Sequence, residues 1–280
     1  TGGRNGSGVI PIRTSKDLQS WQAAGFVFPD RLPAWTTTEV PRANNAWAPD
    51  ISFFNGKYHL YYSVSSFGSR DSAIGLATNR TLNPSSPDYA WVDEGMVLRS
   101  FVDRDDWNAI DPFRLDTSDG RAWLSYGSYW SGIKLSELDP KTGKLLSPAT
   151  PAIGIASRGR GAIEASSLLE HDGKFYLFVS YDRCCAGVAS TYRIMVGRAE
   201  TITGPYLDKT GTDMMRSGAT QVQATMGRYI GPGGEEPVKT PEGDALIYHY
   251  YDGEDGGTSK LEIAPIHWTA DGWTQLAQPP

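Results

Sequence analysis

One short pattern recurs four times along the chain and limits the folds that the sequence can adopt. In each copy a turn containing glycine is followed at once by a segment rich in Tyr, Phe or Trp, in residues 55–63, 119–127, 172–180 and 243–251. A glycine turn joined to such a segment is typical of a β-hairpin. Self-similar units spaced by tens of residues are typical of β-propellers and other repeat folds.

The segments around each hairpin predict a unit of four strands. Three of the hairpins are preceded by an acid among apolar residues, namely Asp50, Asp111 and Glu164, and a fourth unit begins near residues 218–220. Four strands per repeat is the blade of a β-propeller. The predicted third strands are residues 73–77, 132–135, 192–196 and 261–266, and the predicted outer strands are residues 89–93 and 204–208.

Residues 8–21 precede these units and have the pattern of the third strand and outer turn of another blade. The first two strands of that blade are not in the sequence, so we expect an all-β, five-bladed β-propeller whose first blade is incomplete at the N-terminus. We expect residues 1–280 to form a single domain. No long apolar stripe of helical period with caps competes with this interpretation. A β-sandwich is the alternative, but near-repeats with the same head residue favour blades.

Charge and composition restrict the partners. The net charge is -6, and no cluster of Lys and Arg is present, which argues against nucleic acid or an anionic membrane as the partner. No apolar segment approaches the roughly 20 residues of a membrane span. A neutral or small-molecule substrate fits better. The two cysteines, Cys184 and Cys185, are adjacent and are either free thiols or a vicinal disulfide.

The acids at the strand heads suggest a reaction. The first strand of every propeller blade lines the central channel, so Asp111 and Glu164 should face one another at its mouth. Glycoside hydrolysis needs two carboxyl groups, one to protonate the leaving oxygen and one to activate water or attack carbon. Glu164, between Ile163 and Ala165, is the candidate for the acid. The alternative is that a strand-head acid only binds backbone N–H groups, which we favour for Asp50.

Loops beside these acids combine aromatic and small polar residues, in residues 65–68, 127–132 and 184–192. Sugar rings have apolar faces rimmed by hydroxyls and suit such loops. Phe67 and Trp130 lie in Gly/Ser-rich loops and are the candidates for a cleft. The aromatic residues predicted to be core are Tyr61, Trp91, Trp123 and Phe178.

His249 is the remaining candidate ligand. A lone histidine is more often a structural residue, and the sequence contains no zinc ligand set. The other interpretation is a hard cation held by one imidazole and water.

Taken in chain order, several motifs together resemble the endo-1,5-α-L-arabinanases of glycoside hydrolase family 43. The resemblance implies a propeller that cleaves α-1,5-linked arabinan from pectin side chains with inversion, acting as a secreted monomer. The motifs are Trp-Ala-Pro-Asp at 47–50, Asn-Ala-Ile-Asp-Pro at 108–112, residues 126–132, Ile-Glu-Ala at 163–165, the cysteine pair with residues 190–192, and His-Tyr-Tyr at 249–251.

The resemblance also implies roles for individual residues. Glu164 matches the general acid, and Asp111 matches the residue that orients that acid and tunes its pKa. His249 matches a channel histidine associated with calcium or another hard cation. The positions that match substrate contacts are Phe67, Asn108, Ala109, Ile110, Ser128, Tyr129, Trp130 and Ser190.

The third acid of the family, an Asp general base, belongs to a His-Asp-Pro motif on the first inner strand. That motif does not occur in the sequence, and by spacing it would fall before Thr1. General-base assistance is worth about 10²–10⁴-fold, so we expect this chain alone to be weakly active or inactive.

Two other functions remain open. One is an exo-acting α-L-arabinofuranosidase or β-xylosidase of the same family. The other is a carbohydrate-binding propeller without catalysis, which the missing base would suit.

Overall fold

The structure is a computed structural model that describes residues 8–277. The chain divides into two compact units, the first made of Thr1–Leu124 and Ser136–Pro151 and the second of Ser125–Leu135 and Ala152–Pro280. Both ends of the predicted 1–280 domain lie outside the described residues.

The first strands form a small sheet and a four-stranded sheet. Strands β1 (Val9–Thr14) and β2 (Gln22–Phe28) pair with each other, and a short helix α1 (Ala34–Glu39) follows. The next sheet is antiparallel, and its order is β3-β4-β5-β6. Its strands are β3 (Ala46–Phe54), β4 (Lys57–Val64), β5 (Ser72–Asn79) and β6 (Val92–Ser100).

Three further four-stranded sheets follow, and each has its strands in chain order. The first strand of each sheet in the sequence, the expected inner strand, is therefore one of its two edge strands. The first of the three consists of β7 (Phe113–Asp116), β8 (Ala122–Tyr126), β9 (Ile133–Leu138) and β10 (Ile153–Ala156). The second consists of β11 (Ile163–His171), β12 (Lys174–Tyr181), β13 (Arg193–Ala199) and β14 (Thr220–Gln223). The third consists of β15 (Tyr229–Thr240), β16 (Gly243–Asp252), β17 (Thr258–Trp268) and β18 (Thr274–Leu276).

The aromatic second strands fill the cores, as expected from the sequence. In the first unit, buried Tyr62 contacts Phe28 with ring centroids 5.2 Å apart, which joins β4 to the small sheet. In the second unit, Phe178 of β12 and Tyr248 of β16 belong to one buried cluster. Tyr61, Trp123 and Phe178 are buried, and Trp91 packs partly buried against the core of the first unit.

The structure shows four full blades, whereas the sequence predicts five with the first incomplete. Residues 8–277 contain four four-stranded sheets, and the N-terminal segment adds only a two-stranded one. The strand and turn expected within residues 8–21 are present, as β1 and the turn that leads into β2, and these two strands pair over most of their length.

Two predicted outer strands are also corrected. Residues 89–93 overlap only the beginning of β6. Residues 204–208 are not a strand, because Pro205 has no N–H to donate and only Leu207 makes an isolated bridge. The outer strand of that sheet is β14, in the region predicted to begin the fourth unit.

Residues 231–234, Gly-Pro-Gly-Gly, have a composition typical of turns but lie inside β15, where the register shifts on both sides of Gly233. The six-residue α1 was not predicted. None of the helices within residues 8–277 is long and apolar enough to cross a membrane.

Candidate active site

The heads of the inner strands share an unusual backbone. The left-handed region is occupied by Ala48 (φ 41°), Asp111 (φ 55°), Ala165 (φ 52°) and Gly231 (φ 57°). Three of these lie at register shifts of β3, β11 and β15. Such bulges redirect side chains, and a non-glycine residue in this region costs about 1–3 kcal/mol. Strain of this kind clusters at functional sites, and here it repeats at each place where the sequence puts an acid or a Gly-Pro pair.

Glu164 is the second residue of β11 and lies directly before Ala165. Its backbone still pairs with Ser180 of β12, and the register shifts immediately afterwards. The side chain is partly exposed, whereas the residues that follow on β11 become buried. The bulge therefore separates a reachable carboxyl group from the apolar part of the strand.

Two hydroxyl groups hold the Glu164 carboxyl. Ser128 donates through Oγ to Oε2 of Glu164 over 2.8 Å. Tyr192 donates through its phenol O–H to Oε1 of Glu164. Both donors are buried, with exposed fractions of 2% for Ser128 and 4% for Tyr192. Each carboxylate oxygen thus has its own fixed donor.

Ser128 belongs to the loop after β8, which also carries Tyr129 and Trp130. Both aromatic residues have positive φ, at 54° and 40°, and their rings meet edge to face with centroids 6.4 Å apart. The backbone N–H of Tyr129 donates to the carbonyl of Ile163 over 2.8 Å, which ties this loop to the residue before Glu164. Tyr129 is 42% exposed and Trp130 is partly exposed. The loop therefore places two reachable rings beside Glu164.

A second loop, residues 182–191, leads to Tyr192. Cys184 and Cys185 form a disulfide in it, which answers the question left open by the sequence. The N–H of Cys185 donates to the Tyr251 hydroxyl over 2.8 Å, and the N–H of Ala186 donates to Ser190 Oγ over 3.0 Å. Ser190 itself is 4% exposed, so its hydroxyl serves the loop.

The glycines of β15 allow this loop to approach closely. A Cβ atom added to Gly231 would lie 2.7 Å from Cβ of Ser190, and Gly233 lies against the Tyr192 ring. Residues 231–234 are therefore a close-packing surface for the loop that carries the Glu164 partner, which explains why a Gly-Pro-Gly-Gly sequence occurs within a strand.

Several of the other predicted residues belong to the first unit. The N–H of Asp111 donates to Ser63 Oγ over 3.0 Å, and the Asp111 side chain is partly exposed. Ala109 is fully buried, and its N–H donates to Ser100 Oγ over 2.9 Å. Ile110 is 7% exposed, so both apolar residues shape the backbone before Asp111.

Asn108 and Phe67 differ sharply in exposure. Asn108 is 3% exposed, and its Oδ1 atom has no hydrogen-bond partner, a state that costs about 1–3 kcal/mol and is often linked to function. Phe67 is 93% exposed. Asp50 is 5% exposed and accepts the N–H of Arg114 over 3.0 Å, in agreement with the structural role favoured from the sequence.

His249 lies on β16, with its ring 6.0 Å from that of Tyr192 and 5.3 Å from that of Tyr251. Desolvation of the ring lowers the pKa of His249 to about 4, so the imidazole is neutral near pH 7, as a metal ligand must be. The described residues contain no group of three or more His, Cys, Asp and Glu side chains that could hold a metal ion. A hard cation prefers six to eight oxygen ligands, so His249 fits only a largely hydrated cation.

Tyr192 is the site residue whose role the sequence did not indicate. Its hydrogen bond with Glu164 joins positions 28 residues apart. Neither residue carries a local signal for the other, and only the pairing of β12 with both β11 and β13 brings them together.

The chain is similar to known proteins over most of its length. The sequence model of the family Glycosyl hydrolases family 43 matches residues 3–274. The chain is 44% identical over 266 residues to the extracellular endo-α-(1→5)-L-arabinanase 1 of Bacillus subtilis, a match that covers 94% of this chain and 79% of the relative. It is 39% identical over 281 residues to the extracellular exo-α-(1→5)-L-arabinofuranosidase ArbA of Cellvibrio japonicus, covering 95% of this chain and 80% of the relative.

Among solved structures, an exo-1,5-α-L-arabinanase from a bovine ruminal metagenomic library superposes with a TM-score of 0.91 at 41% identity, covering 96% of this chain and 89% of that chain. The fold is thus an all-β propeller with blades of antiparallel strands. The family match extends over nearly the whole sequence, and the matched range includes Asp111 and Glu164. The chain therefore belongs to glycosyl hydrolases family 43.

Proposed function

We propose that this protein hydrolyses α-1,5-arabinofuranosidic linkages in arabinan, as an endo-acting and inverting enzyme. The observation that supports it best is the partly exposed Glu164 carboxyl, held at both oxygens at a bulged strand head beside the exposed rings of Tyr129 and Trp130. Membership of family 43 supports glycoside cleavage. The name of the Bacillus subtilis relative supports the endo mode and the arabinan substrate.

In this mechanism Glu164 is the general acid. Its carboxyl O–H gives the proton to the glycosidic oxygen as the bond from that oxygen to C1 breaks, and Glu164 becomes a carboxylate. Water attacks C1 from the opposite face, and its proton passes to a second carboxylate acting as general base, which gives inversion. The leaving sugar departs as an alcohol. Asp111 is proposed to orient Glu164.

The sugar-binding surface is proposed from exposure and chemistry. Phe67, Tyr129 and Trp130 offer rings for the apolar faces of arabinofuranose. Asn108 offers the unpartnered Oδ1 atom as an acceptor for a sugar hydroxyl. Ala109, Ile110, Ser128 and Ser190 are buried, and they are proposed to shape the backbone and loops that surround the substrate.

His249 is proposed to hold calcium or another hard cation whose other ligands are mainly water. A bound cation would supply fixed positive charge that orders nearby water. Titration of the protein with calcium should then raise its melting temperature, and His249→Ala should abolish that rise. An equal rise in the variant would place the ion elsewhere.

The assembly and the location of the protein are proposed on the same basis. We propose that β1 and β2 belong to a fifth blade of the propeller, and that residues 1–280 act as a single catalytic domain in a monomer. Both relatives described above are named extracellular, which supports secretion.

The second candidate is exo action, which is favoured by the exo-acting relative at 39% identity and the exo-acting structure at TM-score 0.91. A time course on linear arabinan separates the two. Endo action releases mixed oligosaccharides early, whereas exo action releases one short product from the start. Proton NMR of the first product tests inversion, since the newly formed anomer must be β.

Activity assays compare this chain alone with the same chain extended by an N-terminal strand carrying the His-Asp-Pro motif, because the resemblance implies that the general base comes from such a strand. If neither form releases sugar from arabinan or from an activated arabinoside, the proposed function is wrong.

A further inference from the structure

We infer that Tyr192 and Ser128 are positioning residues that hold Glu164 for proton delivery to the leaving oxygen. The inference rests on the proposed function. Neither hydroxyl needs to touch the substrate in this role, because each acts through the Glu164 carboxyl.

The geometry gives the carboxyl group two separate anchors. Ser128 reaches Oε2 from the loop after β8, and Tyr192 reaches Oε1 from the residue before β13. A glutamate side chain has three rotatable bonds and loses up to about 2 kcal/mol of conformational entropy when it is fixed. Two buried donors from different loops remove that freedom before the substrate binds. The carboxyl then meets the glycosidic oxygen in one orientation.

The chemistry of a hydroxyl suits both states of an acid. A hydroxyl can donate to either oxygen of a carboxylate and to the carbonyl oxygen of a carboxylic acid. When Glu164 carries its proton, that O–H points to the glycosidic oxygen, one hydroxyl donates to the carbonyl oxygen, and the other faces the protonated oxygen, which is a weak acceptor. When the proton has left for the substrate, both hydroxyls donate to a charged carboxylate. The donated bonds therefore strengthen along the reaction, and contacts that strengthen in the transition state accelerate it.

Both anchors are themselves fixed. The Ser128 loop is tied to β11 by the hydrogen bond from Tyr129 N–H to the Ile163 carbonyl. The Tyr192 ring packs on Gly233, and the next residue, Arg193, donates through Nε to Asp182 over 2.7 Å. The Tyr192 side chain is therefore fixed, and its hydroxyl stays in place if the Glu164 carboxyl group rotates.

The test uses Tyr192→Phe and Ser128→Ala, which remove one hydroxyl each. Tyr206→Phe is the matched control, because Tyr206 is fully buried in the same unit and its hydroxyl donates to the Ile202 carbonyl over 2.8 Å. Two substrates are compared, α-1,5-arabinohexaose, whose sugar leaving group needs acid assistance, and the 2,4-dinitrophenyl glycoside of α-1,5-arabinotriose, whose leaving group does not.

We expect each site variant to lose about 10- to 100-fold in kcat on arabinohexaose, the size of effect that a displaced catalytic group produces. KM should stay within about twofold, because substrate contacts are unchanged. On the dinitrophenyl substrate, kcat should stay within about threefold. Ser128→Thr keeps the hydroxyl and should recover most of the loss. Tyr206→Phe should match wild type on both substrates.

Equal losses on both substrates would overturn the inference, because a merely structural defect does not depend on the leaving group. Unchanged kcat on arabinohexaose in Tyr192→Phe and Ser128→Ala would overturn it as well. These results leave the proposed function intact, since the wild-type protein still cleaves both substrates. If neither this chain nor the form extended by the His-Asp-Pro strand cleaves either substrate, the proposed function itself is overturned.

Discussion

Gly233 lies so close to Tyr192 that a Cβ atom on it would come within 2.1 Å of Cδ2 of the tyrosine ring. The same atom would lie 2.8 Å from Oγ of Ser180. The hydroxyl of the same ring donates to Glu164. One backbone position on β15 thus sets where the partner of the candidate acid can lie.

Gly233→Ala should displace the Tyr192 ring and weaken both folding and catalysis. Overpacking of this kind costs about 1–3 kcal/mol, which denaturant unfolding can measure. Turnover of arabinohexaose should fall as well, because Tyr192 is moved from Glu164. Gly154→Ala on β10 is the control, since its nearest atom is the flexible end of Met215 at 3.2 Å. Similar stability of the two variants would contradict the close-packing role of Gly233.

The turns of two hairpins show what local sequence can predict. Asn55–Gly56 and Asp172–Gly173 have positive φ at both residues, at 48° and 71° and at 48° and 70°, as the two-residue turns of hairpins require. The strands on either side follow directly, so hairpin positions could be predicted from residue type alone. The aromatic strands could then be assigned to the core, because their side chains alternate between the two faces of small, mostly buried sheets.

Residues 204–208 and 231–234 show where local sequence fails. Leu207 makes only an isolated bridge, and the outer strand is β14 after a long loop. The sequence Gly-Pro-Gly-Gly is typical of a turn, because glycine and proline usually mark turns. In the structure those glycines are needed by Ser190 and Tyr192, which lie far away in sequence. The hydroxyl partners of Glu164 were missed for the same reason, whereas Glu164 and Asp111 could be chosen from their apolar flanks.

The buried histidines should make the protein less stable in mild acid. The pKa of His249 is lowered to about 4 by desolvation, against an ordinary value of 6.5, and the pKa of His59 is lowered to about 4 chiefly by burial. Between pH 6.5 and pH 4 these histidines bind protons in the unfolded chain but not in the folded chain, so the free energy of unfolding falls as the pH falls. His249→Asn should flatten this slope in urea unfolding at several pH values. Exposed His267→Asn serves as control, and an unchanged slope in His249→Asn would refute the assignment.

Glu236 should act in the opposite direction. Burial raises its pKa to about 7 from an ordinary value of 4.5. Between pH 4.5 and pH 7 the folded chain keeps a proton that the unfolded chain releases, so this group lowers stability as pH rises. Glu236→Gln should therefore be more stable than wild type at pH 8 and equal to it at pH 4. Glu242→Gln, at an exposed position, should show no such difference. Equal stability of Glu236→Gln and wild type at pH 8 would contradict the prediction.

The cysteine pair should be oxidised in the isolated protein. Protein unfolded without reductant should take up no alkylating reagent, whereas reduction first should label both Cys184 and Cys185. Because the bond closes a ring between neighbouring residues, its removal should cost about 1 kcal/mol or less in global stability. The double change to serine should instead loosen residues 182–191 and raise KM. Labelling without reduction would show that the thiols are free.

The central claim is that Glu164 donates the proton that cleaves arabinan. The direct measurement is kcat of Glu164→Gln on arabinohexaose in the form of the protein that is active, with binding of the same hexasaccharide followed by calorimetry. The glutamine keeps the size of the side chain and can accept a hydrogen bond, but it has no acidic proton. Loss of kcat by about 10²–10⁴-fold with Kd within a few-fold of wild type is the predicted result. Turnover equal to wild type would contradict the account.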